Sequence, residues 1–598
     1  MAIPSSDTSD SRHLRDHSAD WRMVTLIAAA LVIGAGAALG AWLLLKLIAI
    51  ATNLFWFGRL SVASVDPVDA HLGLTVVAIP VIGSLMIGLM ARFGSEKIKG
   101  HGIPEAIEAI LYGESRLSLK VAILKPLSSA ISIGSGGPFG AEGPIIMTGG
   151  AIGSLFAQRF SLSAAERKTL LVSGAAAGMT GIFGTPLAAI LLAIEVLLFE
   201  WKPRSFVPVV VAVLVSLGVR PFLLDSGPLF PFAAAAIPVW WQTGVLALGL
   251  GMMLGFEAVL LSSLLYRIED LFHRLPVHWM WWPAIGGVVV GLGGLIDAHV
   301  LGAGYSNIQG LLDGSLTARV VLALLVVKAA VWLIALGSGT SGGVLAPLLI
   351  LGGALGALVG QYLPGPTGFW ALLGMAGIMS GAMRAPLTGA IFAVELTGHF
   401  DALPSTIAAS AGAYAISVLI MRRSILTEKI ARRGRHILQE YTVDPLEFVQ
   451  AEQVMTGFPD TLHGDMTIRE AVDFFSETAN HRSYPVIDRA GRLLGLASRS
   501  DALRWQVEGD LFETSLADAL SDASQPFAYP HSTIGEVADL MVETGIGRIP
   551  IVDGGTGQVV GILSRHDLLK ARSASRRAEH ARDRGAASSS AEPDAPVA

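Results

Sequence analysis

The chain has 598 residues, of which 52% are hydrophobic and 15% are charged, and its mean hydropathy is +0.59. These values are typical of an integral membrane protein rather than of a series of soluble domains. The sequence contains no cysteine, which excludes disulfides, thiolate metal sites and thiol nucleophiles. The net charge of −6 gives no indication of a nucleic-acid partner.

Apolar residues are concentrated between positions 21 and 421, whereas the sequence from position 442 onward has the composition of a soluble chain. We therefore predict a membrane domain followed by an aqueous part. The predicted boundaries are an N-terminal segment 1–20, a membrane domain 21–435, a linker 436–448, soluble modules 449–508 and 514–573, and a disordered tail 574–598.

The first apolar stretch, 24–47, is too long for a cleavable signal peptide and is expected to remain as a membrane helix. Basic residues precede it at Arg12, Arg15 and Arg22. By the positive-inside rule, this flank favours a cytosolic N-terminus.

Five further stretches are long enough to cross a bilayer, at 72–90, 245–265, 279–295, 320–336 and 403–420. Others are short or interrupted by glycine and proline, at 119–133, 145–156, 187–199, 344–358 and 387–396. Irregular backbone at membrane depth is tolerated only where it is buried in protein or lines a cavity. The broken segments therefore predict where a transport site lies.

The membrane domain contains an internal repeat. The sequence M-T-G-I-F-G-T-P-L-A-A-I-L-L-A-I-E ends at Glu195, and M-S-G-A-M-R-A-P-L-T-G-A-I-F-A-V-E ends 200 residues later at Glu395. Upstream, residues 134–144 resemble residues 337–347 at an offset of 203. Two elements in the same order predict an all-α domain of two repeated halves, for which we expect an inverted arrangement with the site between them.

The soluble part repeats as well. H-R-S-Y-P-V-I-D at 481–488 and G-L-A-S-R-S-D at 495–501 recur as G-R-I-P-I-V-D at 547–553 and G-I-L-S-R-H-D at 561–567. Each unit has the pattern helix, strand, turn, strand, helix. The sequence therefore predicts an α/β module that is present twice.

Three glycine-rich turns, each with a proline near the start of a new helix, occur at 100–104 (G-H-G-I-P), 140–144 (G-A-E-G-P) and 343–347 (G-V-L-A-P). Helix N-termini attract anions through unpaired backbone N–H groups and the helix dipole. Broken membrane helices with such ends are typical of anion sites in transporters.

With these motifs the chain resembles the CLC family of chloride channels and chloride/proton exchangers. The family signatures are G-S-G-I-P, G-x-E-G-P and G-x-F-x-P, in this order, and many members carry a C-terminal pair of CBS domains. The resemblance implies transport of chloride or a similar small anion. It also implies a homodimer with one pathway per subunit, in the inner or plasma membrane, with the CBS domains in the cytoplasm.

Carried over by position, the gating glutamate of the family is Glu142, and a buried lysine of the family is Lys125. The anion-binding positions implied by the signatures are His101, Gly102, Ile103, Pro104, Gly140, Gly143, Gly343, Val344, Leu345 and Leu426. Simpler roles are also open for three side chains. Glu142 can cap a helix dipole, Lys125 can snorkel to the membrane surface, and His101 can be a vestibule residue with a satisfied ring.

The chain departs from the family at several of these positions. His101 replaces a serine and Leu426 aligns with a tyrosine, so two hydroxyl donors are absent, and Leu345 replaces an aromatic residue. Exchangers of the family usually carry an internal glutamate where Val196 stands here. We therefore expect passive conduction, gated by voltage or pH, with chloride/proton exchange as the alternative.

In the CBS modules, Ser498 with Asp501 and Ser564 with Asp567 match the S/T-x-x-D pattern, whose hydroxyl and carboxylate can hold an adenine nucleotide such as ATP or AMP. Helix N-capping explains the same residues without a ligand. No other cofactor and no metal site is predicted.

Two other classes of protein share some of these sequence features. Magnesium channels and transporters also combine membrane helices with CBS pairs, but a Mg²⁺ path needs clustered oxygen ligands, and the acids of the apolar segments are scattered. A membrane enzyme is favoured only by the G-x-S-x-G match at 339–343, which has no strand-turn-helix context.

Overall fold

The computed structural model describes residues 22–70, 72–160, 162–224, 227–232, 240–435, 449–508, 512–521, 525–571 and 573. The chain forms two compact units that divide between Glu440 and Tyr441. The predicted N-terminal segment, linker and tail lie outside the described residues.

The first unit is helical. Its first half contains α1 (Arg22–Phe57), α2 (Ala78–Phe93), α3 (Ile103–Tyr112), α4 (Leu119–Gly134), α5 (Glu142–Gln158), α6 (Ala164–Phe183), α7 (Pro186–Leu192, continued by a π turn at Ala193–Leu198) and α8 (Pro203–Leu223). Its second half contains α9 (Trp240–His273), α10 (Trp282–Ile296), α11 (Tyr305–Leu312), α12 (Ala318–Ala323), α13 (Ala329–Gly337), α14 (Leu345–Gly360), α15 (Thr367–Met383), α16 (Pro386–Thr397), α17 (Leu403–Ile420) and α18 (Glu428–Arg432).

Within the described residues, seven helical segments are long and apolar enough to cross a membrane. Six of them coincide with the stretches predicted from the sequence. The seventh is α8, which sequence reasoning missed because prolines interrupt its apolar run. Pro208 and Pro221 both lie inside this helix, and each removes one N–H from its hydrogen-bond ladder.

Repeated packing contacts relate the two halves. A side chain at Gly83 of α2 would collide with Ser135, and one at Gly286 of α10 would collide with Ser338 in the same way. Both pairs of equivalent residues lie 203 positions apart.

The equivalent helices α2 and α10 also pack directly against each other. Gly88, near the end of α2, lies against Met280, just before the start of α10, and Gly291, late in α10, lies against Val77, just before α2. The two helices therefore run antiparallel. Because they hold equivalent places in the repeat, one half is inverted relative to the other, as expected.

The second unit contains two small sheets with flanking helices. The first module comprises β2 (Leu462–His463), α19 (Ile468–Glu477), β3 (Ser483–Ile487), β4 (Leu493–Ser498) and α20 (Arg499–Glu508). The second comprises α21 (Leu516–Ala519), α22 (Ile534–Thr544), β5 (Arg548–Val552), β6 (Val559–Ser564) and a helical segment at 565–571. In each module the two longer strands form an antiparallel pair.

The modules exchange the segments that precede them. Strand β1 (Thr456–Gly457) comes before the first module in the chain but pairs with β6 of the second. In return, Leu516, which precedes the strands of the second module, donates its N–H to the Met466 carbonyl of the first at 2.8 Å. The predicted α/β pair is thus one interlocked unit.

Candidate functional site

Backbone hydrogen bonds bring the three glycine-rich turns together. The Gly343 N–H donates to the Gly140 carbonyl at 2.9 Å, so the second and third turns cross each other. The Gly100 N–H donates to the Thr340 carbonyl at 3.1 Å, and the Gly342 N–H donates to the Gly100 carbonyl at 3.4 Å. The starts of α3, α5 and α14 are therefore tied to one another, as an anion site built from helix ends requires.

Glu142 lies at the crossing. It is the first residue of α5 and 0% exposed. Its carboxylate lies against Gly140, where any side chain would collide with it, and a Cβ at Gly343 would lie 2.6 Å from Oε2. The glycines therefore form a cradle for this carboxylate, and only residues without a Cβ leave room for it.

The carboxylate faces the partial positive charge of backbone amides but is not fixed by hydrogen bonds of ordinary geometry. The backbone amides of Glu142 and of Ala346, near the start of α14, face it. Neither carboxylate oxygen reaches a hydrogen bond of ordinary geometry within the described chain. A tethered anion that faces two helix N-termini without strong partners can be exchanged for a free anion. The same position also fits the simpler role of a helix-dipole cap, because the carboxylate lies in the first turn of α5.

The Lys125 side chain holds the first turn through hydrogen bonds to its backbone. It lies in the middle of α4, is 0% exposed, and donates to the carbonyls of Ile98 at 2.8 Å and Gly100 at 2.7 Å. A third bond reaches Ser341 Oγ at 3.2 Å. Lys125 is thus buried in the protein, so the snorkelling interpretation is wrong. Its ammonium group fixes the turn and places positive charge close to the site.

His101 stands between Gly100 and Gly102, whose φ angles are +77° and +86°. The residue is 3% exposed, and neither ring nitrogen has a hydrogen-bond partner among the described residues. The residue lines a cavity, as the vestibule interpretation expects, but no described residue satisfies its ring. An unpaired N–H donor buried next to helix N-termini is available to a ligand.

A cavity of about 1030 Å³ opens beside His101. Basic side chains line it, and they are paired with acids. Lys429 lies 3.0 Å and Arg433 3.2 Å from Oε1 of Glu105 in α3. The cavity borders the first turn at Gly100 and His101, and ion pairs balance part of the positive charge on its lining.

The remaining predicted site residues lie in the apolar shell. Ile103, Val344, Leu345 and Leu426 belong to one buried hydrophobic cluster. Pro104 is the second residue of α3, and a side chain at Gly143 would collide with the His101 carbonyl. Leu426 has no hydroxyl to offer, and its turn is held instead by Tyr266, which donates to the Ile425 carbonyl at 2.5 Å.

Val196 is buried in the π turn that follows α7 and offers no proton acceptor. The neighbouring Glu195 is already engaged. Its Oε2 accepts from the Thr388 N–H at 2.8 Å and from the Thr388 hydroxyl at 2.6 Å. Glu200 accepts from the Ser205 hydroxyl at 2.8 Å.

Sequence reasoning missed two residues on the second half. Lys328 is equivalent to Lys125, 203 positions later, and donates to the carbonyls of Val300 at 3.1 Å and Gly302 at 3.2 Å. Tyr305 starts α11, just after that turn, and its buried hydroxyl has no hydrogen-bond partner among the described residues. Extending the repeat upstream would have revealed them, because G-H-G at 100–102 recurs as G-A-G at 302–304.

In the soluble unit, the predicted pairs are formed locally. Ser498 Oγ lies 2.5 Å from Asp501 Oδ2, and Ser564 Oγ lies 2.6 Å from Asp567 Oδ2. In both pairs the aspartate N–H donates back to the serine hydroxyl. This geometry is an N-cap. Nucleotide binding remains a prediction.

Comparison with known proteins identifies the family. Residues 82–418 match the model of the voltage gated chloride channel family. The chain belongs to this family, the CLC family. Residues 451–508 and 522–574 match the CBS domain. The protein is thus a multi-pass membrane protein with two CBS domains, and the recognition and fold class predicted from the sequence are confirmed.

Relatives and solved structures agree with this assignment. The voltage-gated ClC-type chloride channel ClcB of Escherichia coli O127:H6 (strain E2348/69 / EPEC) is 30% identical over 369 residues, which cover 59% of this chain and 87% of that protein. The fold is similar to a slow cyanobacterial Cl⁻/H⁺ antiporter, with a TM-score of 0.61, 20% identity, and coverage of 70% of this chain and 99% of that one. It is also similar to a eukaryotic CLC transporter, with a TM-score of 0.57, 21% identity, and coverage of 91% and 98%.

Proposed function

We propose that this CLC protein carries chloride or a similar small anion across the membrane through the site at Glu142. The observation that carries the proposal is the crossing of the second and third glycine-rich turns on the Glu142 carboxylate. The N-termini of α5 and α14 face the Glu142 carboxylate there, but neither makes a hydrogen bond of ordinary geometry to it. Such a site binds anions in general and is not specific to a carboxylate.

In this proposal Glu142 is the gate. With its carboxylate in the cradle of Gly140 and Gly343, the tethered charge takes the place of a permeating anion. Protonation or an outward movement of the side chain frees the cradle. A free anion then meets the same backbone amides.

His101 and Lys125 compensate for the two hydroxyl donors that the chain lacks. The His101 ring offers an N–H with no partner in the described chain, and Lys125 adds positive charge behind the first turn. Both groups favour an anion on the side of the site that faces the cavity.

Passive conduction is the first candidate for the transport mode. It is supported by the apolar Val196 and by the engagement of Glu195, which leave no free carboxylate at the position of the usual internal acid. Without a second proton site near the gate, protons have no defined path to accompany each anion.

Chloride/proton exchange is the second candidate. Two of the solved structures with a similar fold are described as a Cl⁻/H⁺ antiporter and as a CLC-type fluoride/proton antiporter. Glu142 is itself a proton acceptor that reaches the anion site, so one of the two sites that coupling requires is present.

The proposal extends to assembly and location. By family resemblance, the protein is a homodimer with one pathway per subunit. It resides in the inner or plasma membrane with its N-terminus and CBS domains in the cytoplasm, which the basic residues before α1 favour. An adenine nucleotide at the CBS pair would act as a regulator.

The structure offers little support for a Mg²⁺ transporter or a membrane enzyme. Within the described residues, no group of three or more His, Asp or Glu side chains could hold a metal ion. Ser341, the serine of the G-x-S-x-G match, is hydrogen-bonded to Lys125 and Ser128. It therefore serves the packing of the turns.

The test is flux from liposomes that contain the purified protein. Chloride efflux should exceed that of empty liposomes, whereas loaded Mg²⁺ should be retained. External pH is recorded at the same time. Chloride efflux without stoichiometric proton movement supports conduction, and proton uptake against its gradient establishes exchange. Absence of chloride, nitrate, bromide and fluoride flux would refute anion transport.

A further inference from the structure

A largely apolar groove of about 500 Å³ lies where the start of α1 meets the end of α5 and the start of α6. Helix α1 contributes Leu26 and Ala28 to its lining, and the junction of α5 and α6 contributes Phe156, Phe160 and Leu162. The two phenylalanine rings pack against each other with 5.2 Å between their centroids. Phe160 is 54% exposed, so the groove is open on this side.

An ion pair lines the same groove. Nε of Arg22 lies 3.0 Å from Oε1 of Glu166, and the Arg22 side chain is 63% exposed. Oε2 of Glu166 accepts the Ser163 N–H at 2.7 Å, which fixes the carboxylate at the start of α6. The groove therefore presents a positive and a negative group side by side, next to apolar surface.

The groove lies on the side of α1 that faces lipid. Helix α1 is long and apolar enough to cross a membrane. Val24 and Val32, one turn before and one turn after Ala28 on the same face, are 51% and 57% exposed. Arg22 is the first residue of α1 and directly precedes its apolar stretch. Arginine at the end of an apolar membrane helix lies at the level of the lipid headgroups.

We propose that this groove binds one phospholipid with a primary ammonium headgroup, phosphatidylethanolamine. Its phosphate meets Arg22, its ammonium meets Glu166, and one acyl chain lies along Leu26 and Phe156. This inference goes beyond anion transport and does not depend on it.

Charge complementarity selects this headgroup. The guanidinium group of Arg22 is suited to phosphate oxygens, and a primary ammonium carries three N–H donors for the Glu166 carboxylate. The quaternary ammonium of phosphatidylcholine has no N–H to donate, and phosphatidylglycerol has no cation for Glu166. The acyl chain gains close packing against the apolar lining, since van der Waals contact favours association within a membrane.

The test is native mass spectrometry of the full-length protein with phosphatidylethanolamine, phosphatidylcholine and phosphatidylglycerol of identical acyl chains. Phosphatidylethanolamine should bind roughly tenfold more tightly than the other two, the size expected for one hydrogen bond between charged groups. Glu166→Gln should reduce this preference to within about twofold, and it keeps the cap of α6 because glutamine also serves in a capping box. Glu114→Gln is the control, because the Glu114 side chain is 66% exposed and does not line the groove.

A second variant tests the acyl chain. Ala28→Trp places a large ring in the groove and should weaken binding of phosphatidylethanolamine by about tenfold or more. Val32→Trp, one turn further along the same face, should leave binding unchanged. Equal binding of the three lipids, or an unchanged preference in Glu166→Gln, would overturn the proposal. If phosphatidylethanolamine binds only after removal of residues 1–20, that segment occupies the groove and the proposal fails.

Discussion

Glu195 and Glu395 each cap the helix that carries the other. Glu195 Oε2 accepts from the Thr388 N–H at 2.8 Å at the start of α16, and Glu395 Oε2 accepts from the Ala188 N–H at 2.8 Å at the start of α7. The two glutamates lie 200 positions apart in the repeat. Because each is near the end of its own helix and at the start of the other, α7 and α16 run antiparallel. The reciprocal caps join the two inverted halves.

The first prediction concerns these caps. Glu195→Ala and Glu395→Ala should each lower the stability of the membrane domain by about 1–2 kcal/mol, because each removes a carboxylate that serves backbone N–H groups. Thermal unfolding in detergent should show similar shifts for both variants. Glu114→Ala is the control, because its side chain is 66% exposed.

The two variants also test the transport mode. If Glu195 is only a cap, both should leave the ratio of protons to chloride unchanged. Loss of proton movement in Glu195→Ala alone would show that Glu195 replaces the internal acid that is missing at Val196.

The second prediction concerns the gate. Glu142→Gln mimics the protonated side chain and removes the tethered charge that competes with the anion. Chloride flux at neutral pH should rise about tenfold, which corresponds to about 1.4 kcal/mol of lost competition. In the wild type, flux should increase as pH falls, since protonation neutralises the carboxylate, and in the variant this dependence should flatten. Flux from liposomes at pH 5 to 8 measures both effects. A variant that keeps the wild-type pH profile would exclude Glu142 as the gate.

Local sequence chemistry accounts for much of this site. Glycines and a proline mark each helix start, so the turns at 100–104, 140–144 and 343–347 were predicted without knowledge of the fold. The contacts that join them were not, because the hydrogen bond between Gly140 and Gly343 links residues about 200 positions apart. Tyr305 escaped notice for the same reason. It is an ordinary residue in a weak repeat until the fold packs it against the buried cluster that contains Val344 and Leu345.

In the soluble unit, too, contacts between residues that are distant in the chain could not be predicted from local sequence. The repeated apolar motifs at 481–488 and 495–501, and at 547–553 and 561–567, predicted the strands of each CBS module. The exchange of β1 to the sheet of the second module depends on tertiary pairing, which no local pattern encodes. Helix α8 was missed because its prolines are a local signal against a continuous helix, and tertiary packing overrides that signal.

The third prediction concerns Lys125. Lys125→Met removes the donor to the carbonyls of Ile98 and Gly100, and each buried carbonyl left unpaired costs about 1–3 kcal/mol. The variant should be less stable, and its half-saturating chloride concentration should rise several-fold because charge is lost near the site. Thermal unfolding and flux at graded chloride concentrations measure these changes. Lys120→Met on the same helix is the control, because Lys120 is exposed, and it should behave like the wild type.

The last prediction decides between capping and nucleotide binding at the CBS pair. If Asp567 holds a ribose, ATP or AMP should raise the unfolding midpoint of the full-length protein by ligand linkage, and Asp567→Ala should abolish the rise. The chain offers a matched control in Asp518, whose N–H donates to the Ser515 hydroxyl at 3.2 Å. This pair has the same S-x-x-D spacing and capping geometry, but Ser515 does not end a strand of the repeated motif as Ser498 and Ser564 do. Asp567→Ala and Asp518→Ala should each lose about 1 kcal/mol of stability through the cap alone. Only Asp567→Ala should lose the nucleotide response. A wild-type protein that shows no shift with either nucleotide would leave capping as the role of these residues.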